Sequence, residues 1–296
     1  MPLKSFSSVT ARAYGLTTAI GSSYWMAHLA TASGDYGYAI KCDSTGAPWF
    51  CGIVSISGTL NGVFGKLATN GTTIDVQVAA LTSNTYYYNL ATDGTNWWTV
   101  GTATPSGNVA HLVKYNSAGT IQWQRKLTPG AGSSQGYDLK VDSSGNAWVF
   151  GTAYQNGLAL NEAYVAKYNS AGTFQWQSAI YQGTTGNGNA GAIDSSGNSQ
   201  VWGRINTAGA YGMKLNTSGT VSWNRLLSSN NTDGVYAAVT DQSSGDTYVA
   251  GLQGTNNWTS IAKIATGGTL TWQRTLNTSS YQYLTSLTLD SSGNVY

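Results

Sequence analysis

Apolar and polar residues alternate in short runs along the whole chain. In Tyr137-Asp138-Leu139-Lys140-Val141 the apolar places are 139 and 141, and Ile40 and Cys42, or Leu287 and Leu289, fill the same places in similar runs. A period of two puts successive side chains on opposite faces of an extended chain, so these runs predict β-strands. No stretch of useful length shows helical spacing. Between the runs stand turn sequences such as Asp-Ser-Ser-Gly-Asn and Asn-Ser-Ala-Gly-Thr. There the Asx side chain bonds nearby backbone and the glycine takes positive φ.

The turns repeat. Lys114, Lys167, Lys214 and Lys263 open the related segments KYNSAGTIQWQ, KYNSAGTFQWQ, KLNTSGTVSWN and KIATGGTLTWQ. Each lysine precedes a tryptophan by nine residues, and Trp123, Trp176, Trp223 and Trp272 are spaced 53, 47 and 49 apart. Asp75, nine after Lys66, and Trp25 extend the series backward to six copies, the first degenerate. A second motif interleaves with it: DSTGAPWFCG from Asp43, TDGTNWWTVG from Thr92, DSSGNAWVFG from Asp142, DSSGNSQVWG from Asp194, QSSGDTYVAG from Gln242 and DSSGNVY from Asp290. Its closing glycines, Gly52, Gly101, Gly151, Gly203 and Gly251, are 49, 50, 52 and 48 apart. Two hairpins per repeat of about 49 residues is the spacing of four-stranded propeller blades. The expectation is one all-β domain over 1–296, a six-bladed β-propeller.

The order of motifs predicts how the ring closes. The chain opens on a Lys/Trp-type hairpin around Val9 to Leu29 and ends on an Asp/Gly-type hairpin around Tyr283 to Tyr296. One blade shared by residues 9–29 and 283–296 leaves no open sheet edge. The last copy stops three residues before its expected glycine, so a longer chain has room for a seventh blade. A rival register, with residues 36 to 50 read as a Lys-type hairpin, leaves about 25 residues of insertion before Thr92 and is the less regular.

Composition narrows the function. Charged residues are 9% of the 296 and the net charge is +2, so no basic field is at hand for a phosphate backbone. The candidate acids and bases are His28, His111, Glu162 and eleven aspartates, a thin supply for hydrolysis. No run of apolar residues is long enough to span a membrane. Met1 to Gly21 contains no continuous apolar core of a secretory signal.

At DSSGNAWVFG and KYNSAGTFQW the chain resembles the bacterial β-propeller repeats called SBBP repeats. It resembles the quinoprotein-type propeller repeat more distantly. Quinoprotein enzymes carry adjacent cysteines and a Glu/Asn/Asp calcium site. Here Cys42 and Cys51 are nine apart and Glu162 is the one glutamate, so that resemblance implies neither cofactor nor activity. The low charge, the richness in Gly, Ser, Thr and Asn and the many aromatic residues resemble bacteriophage virion proteins, tail and fibre components above all.

Most recurring residues have a structural explanation. The tryptophans at the two periodic slots fill the gaps between blades. The lysines Lys66, Lys114, Lys167, Lys214 and Lys263 suit either a ring of anion-binding ammonium groups or stems packed on the sheet with heads reaching Asp or solvent. The second is expected, since a ligand site rarely needs every blade. Asp43, Asp142, Asp194 and Asp290 read as turn caps, with too few carboxylates for a calcium loop. Cys42 and Cys51 fall at core slots, where adjacent strands bring a disulfide within reach. His28 and His111 read as surface or packing residues.

Aromatic residues outside the repeat are the candidate binding residues. Trp97 stands where other copies have Ala147, Pro48, Ser199 and Thr247, and Trp258 where they have Glu162, Val109, Gly209 and Asn61. In Tyr86-Tyr87-Tyr88 only Tyr87 matches a repeat slot, that of Tyr38 and Tyr137, which leaves Tyr86 and Tyr88. Exposed aromatic residues on a polar rim anchor carbohydrate and protein contacts. The expectation is a non-enzymatic structural or adhesive protein without cofactor or metal. It would serve in a phage virion as a tail, fibre or capsid-surface propeller, bound to other virion proteins and to a host-surface glycan or protein. The alternative is a bacterial secreted or cell-surface lectin-like propeller.

Overall fold

The computed structural model describes residues 16–17, 23–24 and 34–296, apart from 71–72, 79–83, 105–107, 129–131, 156–159, 181–183, 229, 231–232, 254–257, 277–283 and 285. Strands β1 (Leu16–Thr17) and β2 (Ser23–Tyr24) form a short antiparallel pair. The other twenty strands form five four-stranded meanders. The first sheet is β3 (Tyr36–Cys42), β4 (Pro48–Ile56), β5 (Thr59–Leu67) and β6 (Thr73–Val78). The second is β7 (Thr85–Thr92), β8 (Trp97–Ala103), β9 (Val109–Tyr115) and β10 (Ile121–Leu127). The third is β11 (Ser134–Val141), β12 (Ala147–Gln155), β13 (Leu160–Tyr168) and β14 (Phe174–Ile180). The fourth is β15 (Gly186–Ile193), β16 (Ser199–Ile205), β17 (Gly209–Leu215) and β18 (Val221–Leu226). The fifth is β19 (Gly234–Thr240), β20 (Thr247–Gln253), β21 (Trp258–Ile264) and β22 (Leu270–Leu276).

Against the six blades expected, the described residues hold five four-stranded sheets. Most of residues 9–29 lie outside those described. At the other end, a single antiparallel bridge joins Leu289 to Val295 around the Asp290 turn. Closure of a ring by a shared blade is not detected. The chain groups into two compact units, Met1–Lys126 and Leu127–Tyr296.

One device recurs in all five sheets. The closing glycine of the second motif pairs with the first strand beside a β-bulge, as in Gly136↔Gly151 with the shift before Asp138. The bulge drives the first strand's carbonyl onto the glycine. A Cβ on Gly52, Gly101, Gly151, Gly203 or Gly251 would lie 1.6 to 2.1 Å from that oxygen. Only glycine fits, which is why it recurs.

The middle strands supply the cores. In the first unit Trp49, Cys51, Phe64, Tyr87, Leu90 and Trp97 belong to one buried cluster. In the second, Trp148, Phe150, Val201 and Tyr211 form part of one cluster, and Trp202, Val235 and Val249 part of the next. Each such side chain contributes about 1.5–3 kcal/mol on burial. Two fourth-strand tryptophans join sheet to sheet within the second unit, as expected. Trp176 donates Nε1–H to the Thr217 carbonyl (2.8 Å) and Trp223 to that of Thr266 (3.1 Å). Their rings cover Gly219 and Gly268, both at positive φ in the neighbouring sheet's turn.

Candidate binding surface

The recurring polar residues are engaged within the repeat. Asp142 Oδ1 accepts the Ser144 and Asn146 N–H groups (3.0 and 2.9 Å), and Asp43, Asp194 and Asp290 cap their turns in the same way. Lys66, Lys214 and Lys263 each place Nζ 2.9 Å from a turn carboxylate, on Asp43, Asp194 and Asp246. Lys114 and Lys167 lie over the Trp98 and Trp148 rings, at 4.8 and 4.4 Å. The lysine slot is thus a packed stem with its head on Asp or on an indole face. The Thr45 hydroxyl, with Lys66 and Trp49, holds the Asp43 carboxyl well below the usual range.

The other chemical candidates are structural too. His111 is buried on β9, beside the Tyr87 ring, with Nε2 at 3.2 Å from Gln124 Oε1. Burial pushes its imidazole down to about 4. His28 lies outside the described residues. Glu162 is buried on β13, which raises its carboxyl. Cys42 is exposed, not in the core, and Cys51 is buried. Both are free thiols, because the register pairs Cys42 with Pro48 and Cys51 with Ala39.

Of the four binding candidates, two are surface rings. Trp97 is not: it is 3% exposed and stacks on Trp49 at 4.8 Å. The slot itself explains the correction, since Pro48, Ala147, Ser199 and Thr247 are also buried there. Variation at that slot marks different packing, not exposure. Trp258 opens β21, where its backbone pairs with Gln253, and its side chain lies outside the described residues.

Tyr86 and Tyr88 are half-buried and belong to a row of four tyrosines. Tyr36 stacks on Tyr38 at 6.4 Å, Tyr38 meets Tyr88 edge-on at 5.3 Å, and Tyr88 stacks on Tyr86 at 5.9 Å. Tyr36 is 60% and Tyr38 47% exposed. The row runs across β3 and β7, the neighbouring first strands of the two sheets. Burial, then the adjacent Tyr36 and Tyr86, push the Tyr38 hydroxyl above its ordinary value. The Tyr38 hydroxyl therefore keeps its proton, and with it an O–H donor, at neutral pH.

The bulge also revises the repeat register. The bulge residues, which the strand register skips, are Tyr38, Tyr88, Tyr137, Asn189 and Tyr236. Tyr88, not Tyr87, holds the repeat slot, and Tyr87 is a core ring. Counting back from the closing glycine misplaces it because the 93–96 turn has four residues where the 43–47 and 142–146 turns have five. Tyr38 reads from the sequence as a repeat slot and Tyr36 is not singled out there, although the alternating Tyr36-Gly37-Tyr38 carries the signal. In the second unit the slot is more polar. The Tyr137 hydroxyl donates to Gln135 Oε1, and Asn189 Nδ2 donates to the Val235 carbonyl at 3.2 Å.

No family model matches the chain, and no curated protein matches it. Solved structures do. Kuenenia stuttgartiensis hydrazine synthase superposes with a TM-score of 0.56 at 13% identity, over 86% of this chain and 68% of that one. The subtype N10 neuraminidase-like protein of A/little yellow-shouldered bat/Guatemala/060/2010 gives 0.51 at 11%, over 82% of each chain. A D477G ACO/RPE65 chimera gives 0.52 at 10%, over 85% and 63%. The sheets are those of a β-propeller. At 10–13% identity the likeness is one of fold alone.

Proposed function

We propose that the protein is a non-enzymatic binding protein that works in a phage virion, as a tail, fibre or capsid-surface propeller, in assembly or host attachment. The observation that carries this reading is the row Tyr36-Tyr38-Tyr88-Tyr86, two of whose rings are exposed. The recurring Asp, Lys and Trp side chains are engaged within the fold, and this row is what offers large faces and hydroxyls to a partner. The partner is another virion protein or a host-surface glycan or protein. Immunogold electron microscopy of particles released by the producing culture tests the reading. Label on particles is the expected outcome. Label confined to the cell envelope or the medium favours a lectin-like surface or secreted propeller instead.

We also propose that a sixth sheet, drawn from residues 9–29 and 283–296, completes the propeller. Its support is Ile40, 64% exposed at a slot that is buried in the other four sheets as Leu90, Leu139, Gly191 and Ala238. Deleting residues 1–30 should lower the melting temperature and cause aggregation. A truncated protein that stays monomeric with unchanged melting contradicts the sixth sheet.

A further inference from the structure

The fourth strand of each sheet is an edge, and its outward N–H and C=O groups are open to pairing with another strand. In three sheets an arginine covers that edge. Arg125 on β10, Arg225 on β18 and Arg274 on β22 lie over Trp123, Trp223 and Trp272 at 5.3, 5.9 and 5.7 Å. Each donates Nη1–H to the carbonyl of the residue between, Gln124 (2.8 Å), Asn224 (2.7 Å) or Gln273 (3.0 Å). The edge strand β6 carries Asp75.

Strand β14 breaks the rule. It reads Phe-Gln-Trp-Gln-Ser-Ala-Ile and is the one edge strand of the five described without a charged residue. Ser178 takes the arginine's place. Its hydroxyl donates to the Gly219 carbonyl at 2.6 Å, the same inter-sheet bond that Arg225 Nε makes to Gly268 at 3.1 Å. Ser178 thus keeps the contact with the next sheet but leaves the Gln177 carbonyl without a guanidinium. Phe174, 49% exposed, stands at the strand's start.

We infer that β14 is a docking edge for a second copy of this chain, the two β14 strands pairing antiparallel about a two-fold axis through Gln177. Gln177 is the middle of the seven residues. In an antiparallel strand one residue's N–H and C=O point the same way, so two facing Gln177 residues exchange both bonds. This register sets Trp176 across from Ser178 on either side of the axis, and the bulge at Gln175, which the β13–β14 register skips, ends the regular ladder there. No like charges meet, and no arginine must leave a carbonyl. The self-complementary neutral strand favours an identical partner, as a two-fold interface requires.

Sedimentation velocity over a concentration series, with hydrogen exchange at each concentration, tests the inference. The parent should move from monomer toward dimer, and exchange in β14 around Gln177 should slow at high concentration. Ser178→Arg restores the residue found in three other sheets and should abolish both effects without changing the melting temperature. If that variant fails to fold, Gln177→Lys should do the same by setting two ammonium groups directly across the axis. A parent that stays monomeric up to its solubility limit overturns the inference. So does a dimer that persists in the folded variant, or one that leaves β14 exchange unchanged.

Discussion

Gly191 of the fourth sheet lies under the ring of Phe150 in the third, so close that a Cβ would come within 2.1 Å of Phe150 Cδ2. The two residues share one volume. Overpacking of this kind costs about 1–3 kcal/mol, or more where backbone must shift. Gly191→Ala should therefore lower stability by at least that much in urea unfolding. Adding Phe150→Leu should recover part of the loss, giving a double-mutant coupling of about 1 kcal/mol. Purely additive costs would show that the two do not compete for space.

Asp138 secures the same seam by a polar bond. Its buried carboxylate accepts the Gly191 N–H at 2.7 Å and its own neighbour's, Leu139 N–H, at 2.7 Å, and Lys140 Nζ lies 2.7 Å away. Asp138→Ala strands a buried N–H and should cost about 2–3 kcal/mol. Lys140→Met should cost less, since its stem still covers the sheet and the carboxylate keeps two donors. Thermal melts of the two variants check the order.

The tyrosine row and Trp97 should separate cleanly. Tyr38→Ala with Tyr88→Ala should cost about 1 kcal/mol each or less and reduce attachment to the partner. Trp97→Ala removes a core ring and should cost about 3–5 kcal/mol. Melting curves and an adsorption assay on the same samples distinguish the two. An equal loss of stability in both would place the tyrosines in the core.

His111 predicts acid sensitivity. Its folded value, about 4, lies below the ordinary 6.5. Between these values the unfolded chain binds a proton that the folded chain does not, so stability rises with pH there and falls on acidification. The loss between pH 6.5 and 4 should reach about 3 kcal/mol. His111→Gln should flatten that part of the profile relative to the parent. Identical profiles would remove His111 as the cause.

Local chemistry wrote much of this fold into the sequence. The period of about 49, the Asx-Gly turns, the closing glycine and the Lys and Trp slots all follow from contacts within a repeat or to the next one, and such contacts recur wherever the motif does. Exposure does not recur in that way. Trp97 looked free because its slot varies, yet that slot is buried in every described sheet. Tyr88 looked extra because a turn one residue shorter hid its place on the bulge. Cys42 alternates like a core residue but is exposed. Whether a strand's face meets water depends on which sheet stands beside it, and a pattern of period two says only that its two faces differ. That neighbour, and with it the tyrosine row from Tyr36 to Tyr86, was decided by tertiary structure.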